Sequence, residues 1–471
     1  MLTQLRLRNF KSWADTGSLR LAPITTLFGA NSSGKTSLLQ SILLLKQTAS
    51  STDRNLPLNL GDKNSLVNLG DFQSLLHRAD ASATGSNGST TNHRQERAVE
   101  ISLDWRVTKP LKIADFTKSP PVTIESANLG FSSSVQGESS GAHVMRQSVS
   151  AMEYRIGDAT FGIRRRDGKS DEYTLFDYNS PINFLRTPGR AWSLPSPGKC
   201  YGFPDQVRAY YQNTGFLSDL ELALENQLQQ VYYLGPLRAY PERTYTWTGA
   251  EPSDMGRSGE RVIEALLSAR NRGEVVSQGP RRASKSVPLE AYVAEWLKKL
   301  ELISEFRVET VSEGSQIFSV KVRKTSTSPE VLITDVGFGV SQILPVIVLC
   351  FYAPEGSTII LEQPEIHLHP AIQSGLADVI IDACKKRKIQ VILESHSEHI
   401  LRRFQLRMAE GALTQEQVAM YFSRTRDSES YAEELQLDDY GNIANWPPDF
   451  FGDQLGEVAR TQLARIARQS K

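Results

Sequence analysis

The chain of 471 residues has only three cysteines, Cys200, Cys350 and Cys384. Their number is odd and no two form a C-x-x-C pair, which excludes a disulfide framework and argues against a cysteine-based zinc site. A surplus of charge is also missing, since 53 Lys and Arg balance 53 Asp and Glu. No global field draws the chain to nucleic acid or to a membrane surface, although a local basic groove stays open. The longest apolar run, Ile343 to Ala353, contains Pro345 and falls well short of the roughly 18 residues a membrane span needs. Arg6, Arg8 and Lys11 punctuate an N-terminus that lacks a signal-peptide core. Internal repeats and sustained heptads are absent, so no long coiled-coil arm is expected. These absences point to a soluble, cytoplasmic protein without a membrane part. Apolar material is ample: 39% hydrophobic residues suffice for buried cores, and the length predicts two or three structural units.

The segment Leu2 to Phe10 alternates apolar and polar residues, as a half-buried strand does. Ile24 to Phe28 then runs apolar into a glycine turn, and Ser37 to Gln47 has the leucine spacing of a helix. Between about residues 50 and 330 the pattern changes. Residues 81–97 form a polar low-complexity tract, and Ser132 to Ser150 reads as a second one. Strand-like runs lie at Ala98 to Val107, Ser148 to Ile163 and Glu172 to Phe176, and helical patterns at Ser218 to Gln229, Glu260 to Arg270 and Leu289 to Leu302. From Phe306 onward strands and helices alternate, which implies a largely parallel sheet. The expected organisation is an α/β head in two halves, 1–75 and 306–425, split by a β-rich and helical insertion at 76–305 and followed by a short C-terminal domain at 426–471.

Gly29-Ala-Asn-Ser-Ser-Gly34-Lys35-Thr36 fits G-x-x-x-x-G-K-[ST] and sits between an expected strand and an expected helix, the context the motif requires. Backbone amides from Asn31 to Ser37 are then expected to wrap the phosphates of ATP: Asn31, Ser32, Ser33, Gly34, Lys35, Thr36 and Ser37. The helix N-terminus adds its dipole, Lys35 neutralises phosphate oxygens and the Thr36 hydroxyl ligates Mg²⁺. A P-loop also needs an acid at the end of a neighbouring strand, and Thr358-Ile-Ile-Leu-Glu362 supplies it. The next residue is Gln363, and an amide can orient water but cannot take its proton. Either turnover is slow or Glu365 acts as the base.

Four of the seven histidines fall at His367, His369, His396 and His399. Their spacing matches no known zinc module, and Pro370 ends the first run. His396, just after the expected strand Gln390 to Glu394, is the one placed to approach the terminal phosphate as a neutral donor. A further cluster, Gly337-Phe-Gly339-Val-Ser341-Gln342, precedes an apolar segment and can form an anion-binding cap or a simple turn. Arg238 and Arg243 lie in a turn-rich segment, where phosphate contact and surface ion pairing are both open. The basic runs Arg164 to Arg166, Arg281-Arg282 and Lys385 to Lys388 are not interleaved with aromatics as in single-strand binders.

Leu5 to Trp13, the Gly29–Thr36 loop, Gly337 to Gln342, Glu362-Gln-Pro-Glu-Ile-His-Leu-His-Pro370 and Glu394-Ser-His-Ser397 together resemble the ABC-type ATPases related to RecF, SMC proteins and the OLD (overcoming lysogenization defect) family. The tail Asp439 to Phe451, with its Trp-Pro-Pro-Asp-Phe-Phe ending, is similar to that of a bacterial subgroup with a short C-terminal domain of unknown function. The resemblance implies a P-loop ABC-type ATPase head and a head-to-tail dimer, or larger assembly, that sandwiches ATP and Mg²⁺. It implies that Gly337, Gly339, Ser341 and Gln342 cap the terminal phosphate of a second copy, that His396 is a switch histidine, and that Gln73 belongs to a glutamine-containing loop near the metal. Three departures stand out. The Gly337–Gln342 signature differs from the Leu-Ser-Gly-Gly-Gln of transporters, Glu362-Gln363 replaces the family's Asp-Glu pair, and the nuclease Toprim domain of OLD proteins has no counterpart. The expected function is a slowly hydrolysing ATPase that regulates a separately encoded effector, a nuclease or toxin, in bacterial anti-phage defence, without being a nuclease itself. The alternatives are a RecF-like repair clamp that binds DNA when ATP is bound, and a scaffold for which ATP is structural.

Overall fold

The computed structural model describes residues 1–77, 98–139, 145–169, 171–189, 193–277, 286–447, 450, 460–463, 465 and 468. The polar tract at 81–97, Arg281-Arg282 and most of the tail beyond Pro447 lie outside the described residues.

A six-stranded sheet organises the mixed α/β fold. Its order is Val231–Leu234, Thr358–Glu362, Gln390–Glu394, Ile24–Gly29, Val418–Arg426 and Glu429–Glu434. The first five strands are parallel and the last is antiparallel. Thr358–Glu362 and Gln390–Glu394 are buried at every position, which is why they read as continuous rather than alternating runs. Successive side chains still leave on opposite faces. Ile359, Leu361, Val391 and Leu393 enter one core, with the helices Phe338–Tyr352, Pro370–Arg387 and Glu398–Ala409. Ile360 and Ile392 enter the other, with the helices Lys35–Ser50 and Leu217–Gln229.

That second core is closed by an eight-stranded antiparallel sheet. The N-terminal strand Leu2–Phe10 pairs there with Ala98–Asp115, and a meander continues through Val122–Ser139, Met145–Ile156, Ala159–Arg165 and Tyr173–Tyr178. The stretch Ser132 to Ser150, expected as polar low complexity, is strand over most of its described length. Val135 and Val149, buried among the serines, provide the inward face. Gln390 ties the two sheets together. Its side-chain amide donates to the Leu2 and Ala22 carbonyls at 2.8 and 3.0 Å and accepts from the Leu2 amide at 3.0 Å, so its own buried donor and acceptor are both met.

Several elements cross the expected divisions. The 75/76 boundary runs through one continuous antiparallel sheet, because Leu2–Phe10 and Ala98–Asp115 are neighbours. Val231–Leu234, within 76–305, is the edge strand of the central sheet, and the hairpin Val418–Arg426/Glu429–Glu434 spans 425/426. The helices Val262–Asn271 and Leu289–Lys299 pack on Phe338–Tyr352, beside a four-stranded sheet built around Glu305–Thr310 and Ile317–Arg323.

Candidate functional site

The carboxyl ends of the parallel strands converge where an open α/β sheet holds its ligands. Ile24–Gly29 ends in the loop that starts the helix Lys35–Ser50. Gly29 must lack a side chain, since a Cβ there would sit 2.0 Å from the Ser423 carbonyl oxygen. Gly34 caps the helix at φ +86°, and its Cβ would meet the Ser430 and Ser12 hydroxyls at 2.6 and 2.7 Å. Trp13 Nε1 donates to the Gly34 carbonyl at 3.0 Å. Asn31 and Ser32 are exposed at the loop tip, Ser33 is buried, and Ser37 lies within the first helical turn. Lys35 is 2% exposed and folds over the loop, donating to the Gly29, Ala30 and Ser33 oxygens at 3.1, 2.6 and 3.4 Å. Burial lowers its pKa, while Glu394 and Glu365 act in the opposite sense.

The acid nearest Thr36 is Glu394. The Thr36 hydroxyl donates to Glu394 Oε2 at 2.7 Å. Parallel register sets Glu362 directly opposite Glu394, and the two are 7% and 3% exposed. Burial, and then Glu394, push the Glu362 carboxyl up to about 7; Tyr233, Arg238 and Lys11 pull it down. Two buried carboxylates beside a hydroxyl are hard oxygen donors that fit Mg²⁺, which typically takes one or two carboxylates and leaves its other positions to water and phosphate. No cluster of three acidic, His or Cys ligands occurs among the described residues. Sequence reasoning assigned Glu362 and missed Glu394, although both close the same pattern, an apolar strand ending in glutamate.

Glu365 is 7% exposed. Its Oε1 accepts from the Ser395 hydroxyl at 2.8 Å and the His396 amide at 2.7 Å, while its buried Oε2 has no partner among the described residues. Burial raises its pKa. Gln363 adopts φ +42°, held by its amide donating to the Glu394 carbonyl at 2.9 Å, and a non-glycine residue in that region is strain of the kind functional sites store. The His396 ring is partly open. Burial and the charge of Lys35 lower its pKa, so it is neutral at pH 7. Lys35, Thr36, Glu362, Glu365, Glu394 and His396 are thus brought together. Tyr233 and Lys11, neither of them expected, lie within electrostatic reach of Glu362.

Other expected residues are placed elsewhere. Phe72 and Leu75 sink the short helix Phe72–Leu75 into the antiparallel core and turn Gln73 to solvent, where its side chain makes no hydrogen bond among the described residues. Gly337 caps the helix Phe338–Tyr352 and is exposed, Gly339 is partly exposed, and Ser341 and Gln342 are buried at 7% and 3%. His369 caps the helix Pro370–Arg387 by accepting from the Ala371 amide, and His367 and His399 are exposed. Arg243 forms an exposed ion pair with Asp335 at 3.2 Å.

Comparison with known families bears on this geometry. A family described as "AAA ATPase domain" matches residues 1–184, and one described as "AAA domain, putative AbiEii toxin, Type IV TA system" matches residues 275–402. The mixed α/β fold is consistent with a P-loop ATPase head with insertions. A third family, "Protein of unknown function (DUF3696)", matches residues 413–460. No curated protein matches the chain. Among solved structures the chain is similar to an Smc head bound to the C-terminal winged-helix domain of ScpA (12% identity, 93% of this chain and 98% of that chain, TM-score 0.44). It is also similar to an SMC head domain from Thermotoga maritima (9% identity, 92% and 99%, TM-score 0.41). A third is the Smc head domain with an extended coiled coil bound to the C-terminal domain of ScpA derived from Pyrococcus furiosus (12% identity, 99% and 99%, TM-score 0.41). Among the described residues no helix is long and apolar enough to cross a membrane.

Proposed function

We propose that the chain binds Mg-ATP at the carboxyl end of its central sheet, hydrolyses it slowly, pairs with further copies of itself, and controls a separately encoded effector in bacterial anti-phage defence. The observation that carries this reading is the set of buried charges gathered around the P-loop, with an amide, Gln363, where a fast ATPase would have an acid. Thr36, Glu362 and Glu394 would hold Mg²⁺, which would supply charge neutralisation to the phosphates. Lys35 gives up the loop carbonyls for phosphate oxygens. Gln363 orients the attacking water and Glu365, through Oε2, takes its proton. The bond between the terminal phosphorus and its bridging oxygen breaks, and the products are ADP and inorganic phosphate. Slow turnover keeps the ATP-bound form populated, and differential affinity of ATP for two head arrangements supplies the switching free energy. Gly337, Gly339, Ser341 and Gln342 serve as the contact offered to the second copy, and Gln73 belongs to a glutamine-containing loop near the metal. The description of the family matched at 275–402 supports the link to toxin systems and defence.

The DNA-clamp reading draws less support. Within the run Arg164 to Arg166, Arg164 lies over the Phe176 ring, Arg165 pairs with Glu138 at 2.7 Å and Arg166 with Glu172 at 3.4 Å, so little unpaired positive charge is left for phosphates. Purifying the chain with its genomic neighbours in Mg-ATP and then in ADP tests the proposal. A second polypeptide held in stoichiometric amount in one nucleotide and released in the other is expected. A bare chain in both, retaining DNA that is lost steeply with salt, would contradict it.

A further inference from the structure

One arginine departs from the rest of the molecule in its environment. Arg238 follows the edge strand Val231–Leu234, on the loop that leaves the central sheet next to Glu362. It is 7% exposed, and none of its three guanidinium nitrogens has a hydrogen-bond partner among the described residues. Other arginines with a buried, unmet Nε keep another nitrogen paired: Arg155 with Asp104, Arg323 with Glu305 and Arg387 with Glu274. Burial without pairing lowers the pKa of Arg238 to about 10, against the pull of Tyr233, Glu362 and Glu365. Those carboxylates lie within electrostatic reach but do not bond it, and Glu365 Oε1 is already engaged by Ser395 and His396.

A desolvated guanidinium with five unused donors is strongly unfavourable unless an anion completes it. Its fork geometry suits phosphate oxygens, which it can hold bidentately. Position narrows the choice of anion. Glu365 acts electrostatically on both Lys35, from the P-loop, and Arg238, from the loop after the edge strand. An anion held by the P-loop lysine beside Glu365 is therefore one that Arg238 can also reach. We propose that Arg238 is a further ligand-binding and catalytic residue, which contacts the terminal phosphoryl group of a nucleoside triphosphate bound to the same chain and distinguishes it from the diphosphate. The proposal rests on the ATP-site reading above. It adds a charge that ADP cannot use, and the same contact stabilises the negative charge that develops on the transferring group.

The test is competition binding of Mg-ATP and Mg-ADP to the full chain and to Arg238→Met and Arg238→Lys, together with nucleotide-free melting curves. The methionine variant should bind ADP within about twofold of the parent, lose about tenfold or more of its ATP affinity, and melt a few degrees higher without nucleotide, because an unpaired buried charge has gone. The lysine variant should recover part of the preference for ATP. Unchanged ATP affinity, an equal loss for both nucleotides, or a lowered melting temperature without nucleotide in Arg238→Met would overturn the assignment, the last by making Arg238 a packing residue. A parent chain that binds neither nucleotide would overturn the ATP-site reading as well, whereas binding of both with no effect of Arg238 would remove only this inference.

Discussion

Two charge-rich regions of the molecule are built in opposite ways. On the small sheet, Arg307 pairs with Glu330 at 2.5 Å and with Glu305 and Glu309 at 3.7 and 3.6 Å, while Lys321 pairs with Glu309 at 3.0 Å. These groups are exposed, water screens them, and such networks contribute little. At the carboxyl end of the central sheet, Lys35, Arg238, Glu362, Glu365 and Glu394 are buried, and several of their polar atoms lack partners or bond only to nearby backbone and hydroxyl groups. Charge alone therefore marks nothing in this chain. Charge that is both desolvated and unmet is what sets the carboxyl end of the central sheet apart.

Breaking that contrast at its strongest point, Lys35→Ala should reduce ATP affinity by more than about 100-fold and remove any ATP-dependent assembly, read by equilibrium binding and light scattering. Near-parental affinity would remove the distinction between the two regions. The Glu365→Gln substitution keeps the shape and removes the proton acceptor. Turnover is expected to fall about 100-fold or more while ATP stays bound, and unchanged turnover would reject Glu365 as the base.

A pH series sharpens the comparison further. Glu362 rises from an ordinary value of 4.5 to about 7 in the folded chain. The folded state holds that proton more tightly than the unfolded chain, so the stability Glu362 contributes is complete below pH 4.5 and is lost as pH rises through about 7. Melting without nucleotide should fall over that interval while Mg²⁺ affinity rises, because metal and proton compete for the carboxylate. Glu221, raised to about 7 mainly by its own burial in the helix Leu217–Gln229, has the same sign. The difference between the parent and Glu362→Gln isolates the site. The smallest effect belongs to the exposed region, where Arg307→Ala should leave the melting curve almost unchanged.

Local chemistry was legible before the fold. The strand, glycine loop and helix around Lys35 declare themselves by residue type and spacing within a dozen positions, and Glu362 follows from a buried strand that ends in an acid. Glu394 carried an identical signal, but its role depends on which strands are neighbours, a non-local fact: Gln390–Glu394 lies between the P-loop strand and the Glu362 strand. Arg238 was noticed as one of two turn-region arginines, and only the path of the loop after Val231–Leu234 separates it, buried, from Arg243 in its surface ion pair. Gln73 shows the same dependence. Its motif is local, but its exposure is set by Phe72 and Leu75 anchoring into the antiparallel core. The split into halves and insertion likewise hid a shared sheet, since pairing of Leu2–Phe10 with Ala98–Asp115 spans the whole tract between them.

Native mass spectrometry of the purified chain in Mg-ATP and in Mg-ADP tests the central claim most directly, because it counts both nucleotides and copies. An even-numbered assembly carrying one ATP per chain in Mg-ATP, shrinking towards smaller species in ADP and absent for Lys35→Ala, is the predicted result. A particle of the same mass in both nucleotides, with no ATP retained, would contradict the account.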